Sequence, residues 1–245
     1  KGWSQVTANI WIGFDQREAA AFHACTQSII DKASIPVAIK PLTLSSLKFF
    51  RNHSDGTNNF ITSRYLVPCM EDFQGWALFM DSDMLLRADI ADLWELRDSR
   101  YAVQVVKHDY RTGSPRKYLG SPIENDNLDY PKKNWSSVML MNCGHPAMRK
   151  LTPDYVASAT SQHLHRFGWL DPDLIGELPS TWNHLVGEYP LRDDAKLAHY
   201  TLGVPSFGNY VDCEHSRDWH RAVLRMNEIV GERPLDVVGY AEVRA

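Results

Sequence analysis

Five consecutive apolar residues, Trp76-Ala77-Leu78-Phe79-Met80, run directly into Asp81-Ser82-Asp83. A run of that length with no polar alternation suits a strand buried on both faces. Such strands belong to sheets covered by helices on both sides, which constrains the chain toward an α/β architecture. The acidic pair matters because of where it falls. A carboxylate just past a buried strand costs free energy unless something neutralises it. A hard divalent cation does so with oxygen ligands, and it can bridge to a substrate diphosphate. Asp-x-Asp alone is a weak signal, since Asp171-Pro172-Asp173 is a second copy. A solvated turn capping the helix near Ile90 would also explain the first.

The rest of the chain alternates strands and helices. Ala8 to Ile12 reads as a strand ending at Gly13-Phe14-Asp15, and Phe22, Cys25, Ile29 and Ile30 recur at helical spacing after it. Asp15 followed by Glu18 resembles a capping box. Pro36 to Leu42, Tyr101 to Val106 and Val138 to Met141 are further strand candidates. A helix over Ile61 to Met70 carries Arg64, with Pro68 expected to end or kink it. Ile90 to Trp94 reads as a short helix, and helical periodicity returns at Pro146 to Ala159 and Arg217 to Val230. Asp109 to Asn134, rich in Gly, Pro, Lys, Asn and Asp, reads as a surface loop or lid. The pattern implies an α/β fold with a single Rossmann-like mixed sheet, mostly parallel and flanked by helices, with ligands at the carboxyl ends of the strands. The turns after the first strand and after Met80 both fall at that edge.

With 245 residues the chain suits one large domain or two small ones. Hydrophobic residues are 44%, charged residues 23% and the net charge is −4, so neither disorder nor a basic nucleic-acid-binding surface is expected. The cysteines, Cys25, Cys69, Cys143 and Cys213, form no Cys-x-x-Cys pair, which excludes a zinc ribbon or thioredoxin-type motif on spacing. Reduced thiols in a cytoplasmic setting are the simpler reading. No signal peptide is evident in Lys1 to Asn9, and no apolar run reaches membrane-spanning length.

The stretch from Arg64 to Leu96 resembles glycosyltransferase family 8, retaining enzymes with a GT-A fold. In that family an Arg precedes an apolar strand ending in Asp-x-Asp, and an acidic residue and a Leu-Trp or Leu-Phe pair follow; here Arg64, Trp76 to Asp83 and Asp92-Leu93-Trp94 keep the order. The resemblance implies a metal-dependent hexosyltransferase using a uridine diphosphate sugar, with Mn²⁺ or Mg²⁺ held by Asp81, Asp83 and His199. The donor diphosphate would share the metal at Asp81. Asp15 would contact the nucleotide base, or cap a helix, or do both. Arg64 would touch the donor, against the reading of a surface cation.

Other motifs match in part. The family's Phe-Asn-Ala-Gly before an apolar run is Asn134-Trp135-Ser136-Ser137 here, so Asn134 or Ser136 would supply the sugar contact. The family's Asp-Gln-Asp is matched to Asp171-Pro172-Asp173, with Pro172 in place of the amide. Asp171 and Asp173 would bind the sugar or face the anomeric carbon, or Asp171 would cap a helix. The late His-x-x-Gly-x-x-Lys segment, whose His is the third metal ligand and whose Lys touches the diphosphate, is matched by His199 and, one place late, by Gly203, which would bind the cofactor. Its Lys is absent, and Ser206 or a lid lysine (Lys117, Lys132 or Lys133) would serve instead.

The acceptor would be a saccharide or glycolipid. Residues 1–212 would form the catalytic domain, and 213–245 a helical extension packed on it. That extension, with Arg217, Trp219, Arg221 and Arg225, reads as a packing helix; the sharper reading is contact with an acidic acceptor or the inner face of a membrane. Two rival functions are a haloacid-dehalogenase-like phosphohydrolase with Asp81 as nucleophile, and a non-catalytic carbohydrate-binding protein of the same fold.

Overall fold

The computed structural model describes residues 7–50 and 61–226. Eleven strands occur among them: β1 (Ala8–Gly13), β2 (Val37–Leu42), β3 (Trp76–Met80), β4 (Met84–Leu86), β5 (Val103–Val105), β6 (Arg116–Lys117), β7 (Asn125–Asp126), β8 (Val138–Asn142), β9 (Ile175–Glu177), β10 (His184–Leu185) and β11 (Leu197–His199). The α-helices are α1 (Ala19–Lys32), α2 (Val67–Met70), α3 (Ile90–Trp94), α4 (Pro153–Ser158), α5 (Ser161–His165) and α6 (Ser216–Met226).

Six strands form the main sheet in the order β2-β1-β3-β8-β5-β9. β3 lies inside it, parallel to β1 and antiparallel to β8. Its side chains alternate between two cores. Ala77 and Phe79 join Leu66, Met139 and Met141 on one face, while Leu78 and Met80 join Ile10, Phe22, Cys25 and Ile29 on the other. This is why the run has no polar alternation: both faces are covered. The sheet is mixed, because β8 runs antiparallel to both β3 and β5.

A second sheet, β10-β11-β4, was not legible, and the expectation of a single sheet is corrected. Its strands have only two or three residues each, too few to show a period. α6 closes this end. Trp219 and Ala222 pack with Ala21 and Ala24 of α1 and with Leu85, Ala198 and Tyr200.

Three helix expectations change in detail. Ser63–Leu66 is a 3-10 turn, and Pro68 lies in the first turn of α2 rather than ending a helix. Proline fits there because the first N–H groups of a helix need no intrahelical partner. For the same reason Pro153 starts α4 and splits the expected Pro146–Ala159 helix from the 3-10 turn Pro146–Lys150. The last helix is described only to Met226, and the rest of the expected span to Val230 lies outside the described residues. All four cysteines are free thiols. Among the described residues no helix is long and apolar enough to cross a membrane.

Candidate functional site

Asp81, Ser82 and Asp83 form the link between β3 of the main sheet and β4 of the small one. β4 pairs antiparallel with β11, so that Met84 lies opposite His199. The residue before Met84 is Asp83, and Tyr200 N–H donates to its carbonyl at 2.8 Å. The register therefore delivers His199 to the acidic link. His199 Nε2 lies 3.3 Å from Asp83 Oδ1, and Asp81, Asp83 and His199 offer ligand atoms within 4.8 Å of one another.

Neighbouring groups hold this trio. The His199 Nδ1 edge is bonded to Asn183 Oδ1 at 2.9 Å. An amide oxygen accepts a ring N–H, so Nδ1 carries a proton and Nε2 is the ring nitrogen turned to the carboxylates, free to bind a metal once it gives up its own proton. Arg64 is buried, contrary to the surface-cation reading; its Nη2 lies 3.0 Å from Asp81 Oδ1 and its Nη1 donates to the Ser136 carbonyl at 2.9 Å. Asp81 Oδ1 nevertheless receives no well-directed hydrogen bond. Burial pushes the Asp81 carboxyl up, and Arg64 only partly opposes it. Burial acts on Asp83 too, but His199 and Lys117 hold that carboxyl below its ordinary value.

A cavity of about 450 Å³ opens beside the trio. It is lined by all three residues and by side chains from distant parts of the chain. The 109–134 segment, which holds the β6-β7 hairpin, contributes Lys117, Asn127, Tyr130 and Lys133. Lys133 is buried, and its Nζ donates to Asn127 Oδ1 at 2.7 Å. Burial, and then the charge of Lys117, push its pKa down. Two lysines that repel each other across a shared space suit an anion. Around the wall, Glu18 Oε1, Ser82 Oγ, Asn125 Oδ1, Ser161 Oγ, His165 Nε2 and Arg166 Nε are buried without a protein partner. Buried polar atoms are nearly always satisfied, so a wall of this kind suits a polar, hydroxyl-rich ligand.

The expected residues divide. Asp81, Asp83, His199, Arg64, Ser136 and Asn134 all line the cavity. Ser136 Oγ is 2.6 Å from His165 Nδ1, and Asn134 Nδ2 donates to Tyr110 OH at 2.8 Å. Asp15 is buried at the end of β1, where its carboxylate caps the 3-10 turn Gln16–Glu18 and pairs with Arg17 at 2.6 Å. Its helix-cap role is what the geometry displays. Glu18, at the end of that turn, is buried and lines the cavity.

Asp171 and Asp173 are corrected. Both are exposed, and neither lines the cavity. Asp171 caps the 3-10 turn Pro172–Leu174, accepting from Asp173 N–H at 3.0 Å. Gly203 is corrected as well. It packs against the Tyr210 ring, where a Cβ would come within 2.4 Å, and it does not line the cavity. Of the lid lysines proposed as substitutes, Lys117 and Lys133 line the cavity, whereas Lys132 lies over the Trp135 ring.

Several lining residues were missed. Ser161, Gln162, His165 and Arg166 come from α5 and its end, a helix capped by Thr160. Gln162 places a side-chain amide in the cavity lining, where position 172 offers none. Its flanking residues are Ser161 and His163, so the acidic signature that would have marked it is absent.

Comparison with known proteins agrees with this architecture. No protein-family model matches the chain. The bifunctional glycosyltransferase WbbM superposes with a TM-score of 0.64 at 14% identity over 91% of this chain and 50% of that one, so the chain spans half of WbbM. Galactosyltransferase LgtC, solved in complex with donor and acceptor sugar analogs, superposes with a TM-score of 0.56 at 12% identity over 90% of this chain and 97% of that one. A glutamine-to-glutamate variant of LgtC is described as an active-site mutant. At these identities the likeness shows the fold, which is GT-A. Sequence similarity reaches further in one case: Protein CDI of Arabidopsis thaliana is 40% identical over 229 residues, covering 89% of this chain and 87% of that protein. Identity at that level along nearly the whole of both chains means that this chain belongs to the family of Arabidopsis thaliana Protein CDI.

Proposed function

We propose that the chain is a glycosyltransferase of the family 8 type, taking a hexose from a uridine diphosphate sugar in a metal-dependent reaction with retention at the anomeric carbon. The observation that carries this reading is the convergence of Asp81, Asp83 and His199 on a cavity walled by unpartnered polar atoms. Two carboxylates and an imidazole suit Mn²⁺ or Mg²⁺, and the buried, poorly bonded Asp81 Oδ1 fits a cation. Bound there, the metal would act as a Lewis acid for the departing diphosphate.

The remaining roles fall to the chain's own groups. Lys117 and Lys133 bind the diphosphate in place of the lysine missing after Gly203, with Asn127 positioning Lys133. Arg64 orients Asp81, and Asn183 fixes the His199 tautomer. Gln162 and the neighbouring α5 residues face the sugar, and the Gln162 amide oxygen stabilises positive charge at the reacting carbon. Ser136 and Asn134 contact sugar hydroxyls, and the 109–134 segment excludes water. Asp15 stays a base contact in this scheme, from its place at the end of β1. The acceptor is a saccharide or glycolipid, with residues 1–212 as the catalytic unit and 213–245 as an extension on it.

The test is to incubate the protein with Mn²⁺ and a panel of nucleotide sugars and to follow nucleotide diphosphate release. Preferential turnover of uridine diphosphate sugars supports the reading. Phosphomonoester hydrolysis with a phosphorylated Asp81 would replace it with the phosphohydrolase alternative, and binding without turnover would favour the carbohydrate-binding one. NMR coupling constants of the first-formed product decide retention.

A further inference from the structure

A second group of metal-ligating side chains lies outside the cavity. His184, at the start of β10, meets Glu214 and His215, the two residues before α6, and the three offer ligand atoms within 4.8 Å of one another. Their side chains are 2%, 11% and 6% exposed, so the cluster is almost wholly withdrawn from water.

Glu214 Oε1 is crowded. His184 Nε2 lies 2.8 Å from it, His215 Nε2 lies 2.9 Å from it, and Arg192 backbone N–H donates to it at 3.0 Å. The His184 contact is a directed hydrogen bond. The His215 contact is not: Nε2 is buried, close to the oxygen, and still without a hydrogen-bond partner. Its in-plane direction therefore points past the carboxylate. A buried ring nitrogen in that state costs free energy that a hydrogen bond would recover. The His215 backbone takes a φ of 58°, in the left-handed region, and its carbonyl accepts from Tyr200 OH at 3.1 Å.

A cation that takes both imidazole lone pairs and the carboxylate oxygen resolves all of these contacts at once. Two imidazoles with one carboxylate are a ligand set that Zn²⁺ favours. Tetrahedral bonds of about 2.0–2.1 Å put ligand atoms about 3.3 Å apart, so the two imidazole spacings to Glu214 Oε1 need open by only about 0.5 Å. The Arg192 N–H would remain on Glu214 as an outer contact of the kind that orients metal ligands.

We propose that His184, Glu214 and His215 form a structural site for a zinc-class transition metal, separate from the Asp81-Asp83-His199 trio. The site ties residues 30 apart in sequence, and the loop it closes contains β11 and His199. It clamps the start of α6 against the small sheet that carries His199. His184 is also next in sequence to Asn183, which holds the His199 ring. Metal at this site therefore stiffens the strand that feeds the cavity without touching the cavity itself.

The test uses the full chain without a histidine tag, stripped with chelator and given one equivalent of Zn²⁺. X-ray absorption at the zinc edge distinguishes the two sites, since one has two imidazoles and the other has one. The expected shell contains two imidazoles and one carboxylate. Asp81→Asn/Asp83→Asn protein should keep its zinc and the rise in Tm that zinc gives, while His215→Gln should lose both. Cobalt in place of zinc should give the intense visible bands of a four-coordinate site, with water as the fourth ligand beside the three side chains. A zinc shell with one imidazole, a stripped protein that takes up no zinc, or undiminished zinc binding by His215→Gln would each overturn the proposal. If His215→Gln does not fold, the wild-type absorption spectrum decides alone. A failure of the glycosyltransferase reading would show in the turnover assay and leave these measurements untouched.

Discussion

His199 Nε2 lies 3.3 Å from Asp83 Oδ1 because two short strands pair in one register, β11 against β4. Asn183 fixes which ring nitrogen faces the carboxylate. Replacing Asn183 with Leu removes the acceptor for Nδ1–H and frees the tautomer. Mn²⁺ affinity should fall by roughly 10–100-fold, the usual cost of losing an outer-shell partner. Titration of Mn²⁺ against donor binding measures this, and an unchanged midpoint would remove Asn183 from the site.

Arg64 is buried between Asp81 and the Ser136 carbonyl and stacks on Phe79 at 4.9 Å. Arg64→Met leaves Asp81 buried beside an apolar group. Stability should drop by about 3–5 kcal/mol, as when one member of a buried pair is removed. In a chain of this size that is on the order of 10 °C in Tm. Saturating Mn²⁺ should restore part of the loss, because the cation supplies Asp81 with a new partner. A drop under about 1 kcal/mol would show that the pair is solvated.

Glu18 makes stability depend on pH. Burial, then the charges of Asp83 and Asp15, push its carboxyl up to about 8, against an ordinary value of 4.5. Between those values the folded protein holds a proton that the unfolded chain has released. The proton-linked stability is therefore full below about pH 4.5 and is lost as pH rises through about 8. In chelator-treated protein, the Tm of wild type should fall relative to Glu18→Gln across that window and level off above it. Mn²⁺ should shrink the difference, since a nearby cation favours the ionised form. Parallel curves without metal would contradict the burial of a free carboxyl at this place.

Gln162 and the pair Asp171 and Asp173 make opposite predictions. Gln162→Ala should lower the rate of transfer while nucleotide diphosphate binding stays within about threefold, because an interaction made only in the transition state affects rate and not affinity. Asp171→Asn should leave the rate unchanged, since Asn also caps well, and Asp171→Ala should cost about 1 kcal/mol of stability. Steady-state kinetics and thermal melts separate these outcomes. A large loss of rate in Asp171→Asn would restore the acidic pair to the site.

Much of the fold was legible, and the reason differs by element. β3 and α3 were readable to the residue because an uninterrupted apolar run and a capped apolar turn leave few alternatives. The trio Asp81, Asp83 and His199 could be matched by family order alone, but the register that joins its members could not, because β4 and β11 have three residues each. Glu18 looked like half of a helix cap, and only the packed structure turns it into the cavity. Gln162 lost its acidic neighbours, and with them its signature. Asp171-Pro172-Asp173 misled for the converse reason: a good capping sequence and a sugar-binding motif look alike when tertiary contacts are hidden.

The most direct test is calorimetry of uridine diphosphate binding to the full chain, with Mn²⁺ and with excess chelator. If Asp81, Asp83 and His199 hold a metal that bridges to the diphosphate, binding is tight with Mn²⁺ and at least roughly 100-fold weaker without it, a coupling of about 2.7 kcal/mol. Asp83→Asn and His199→Ala should each abolish the difference while leaving the weak, metal-free binding in place. Equal affinity in Mn²⁺ and in chelator, with both variants behaving like wild type, would contradict the assignment of a metal-dependent donor site to this trio.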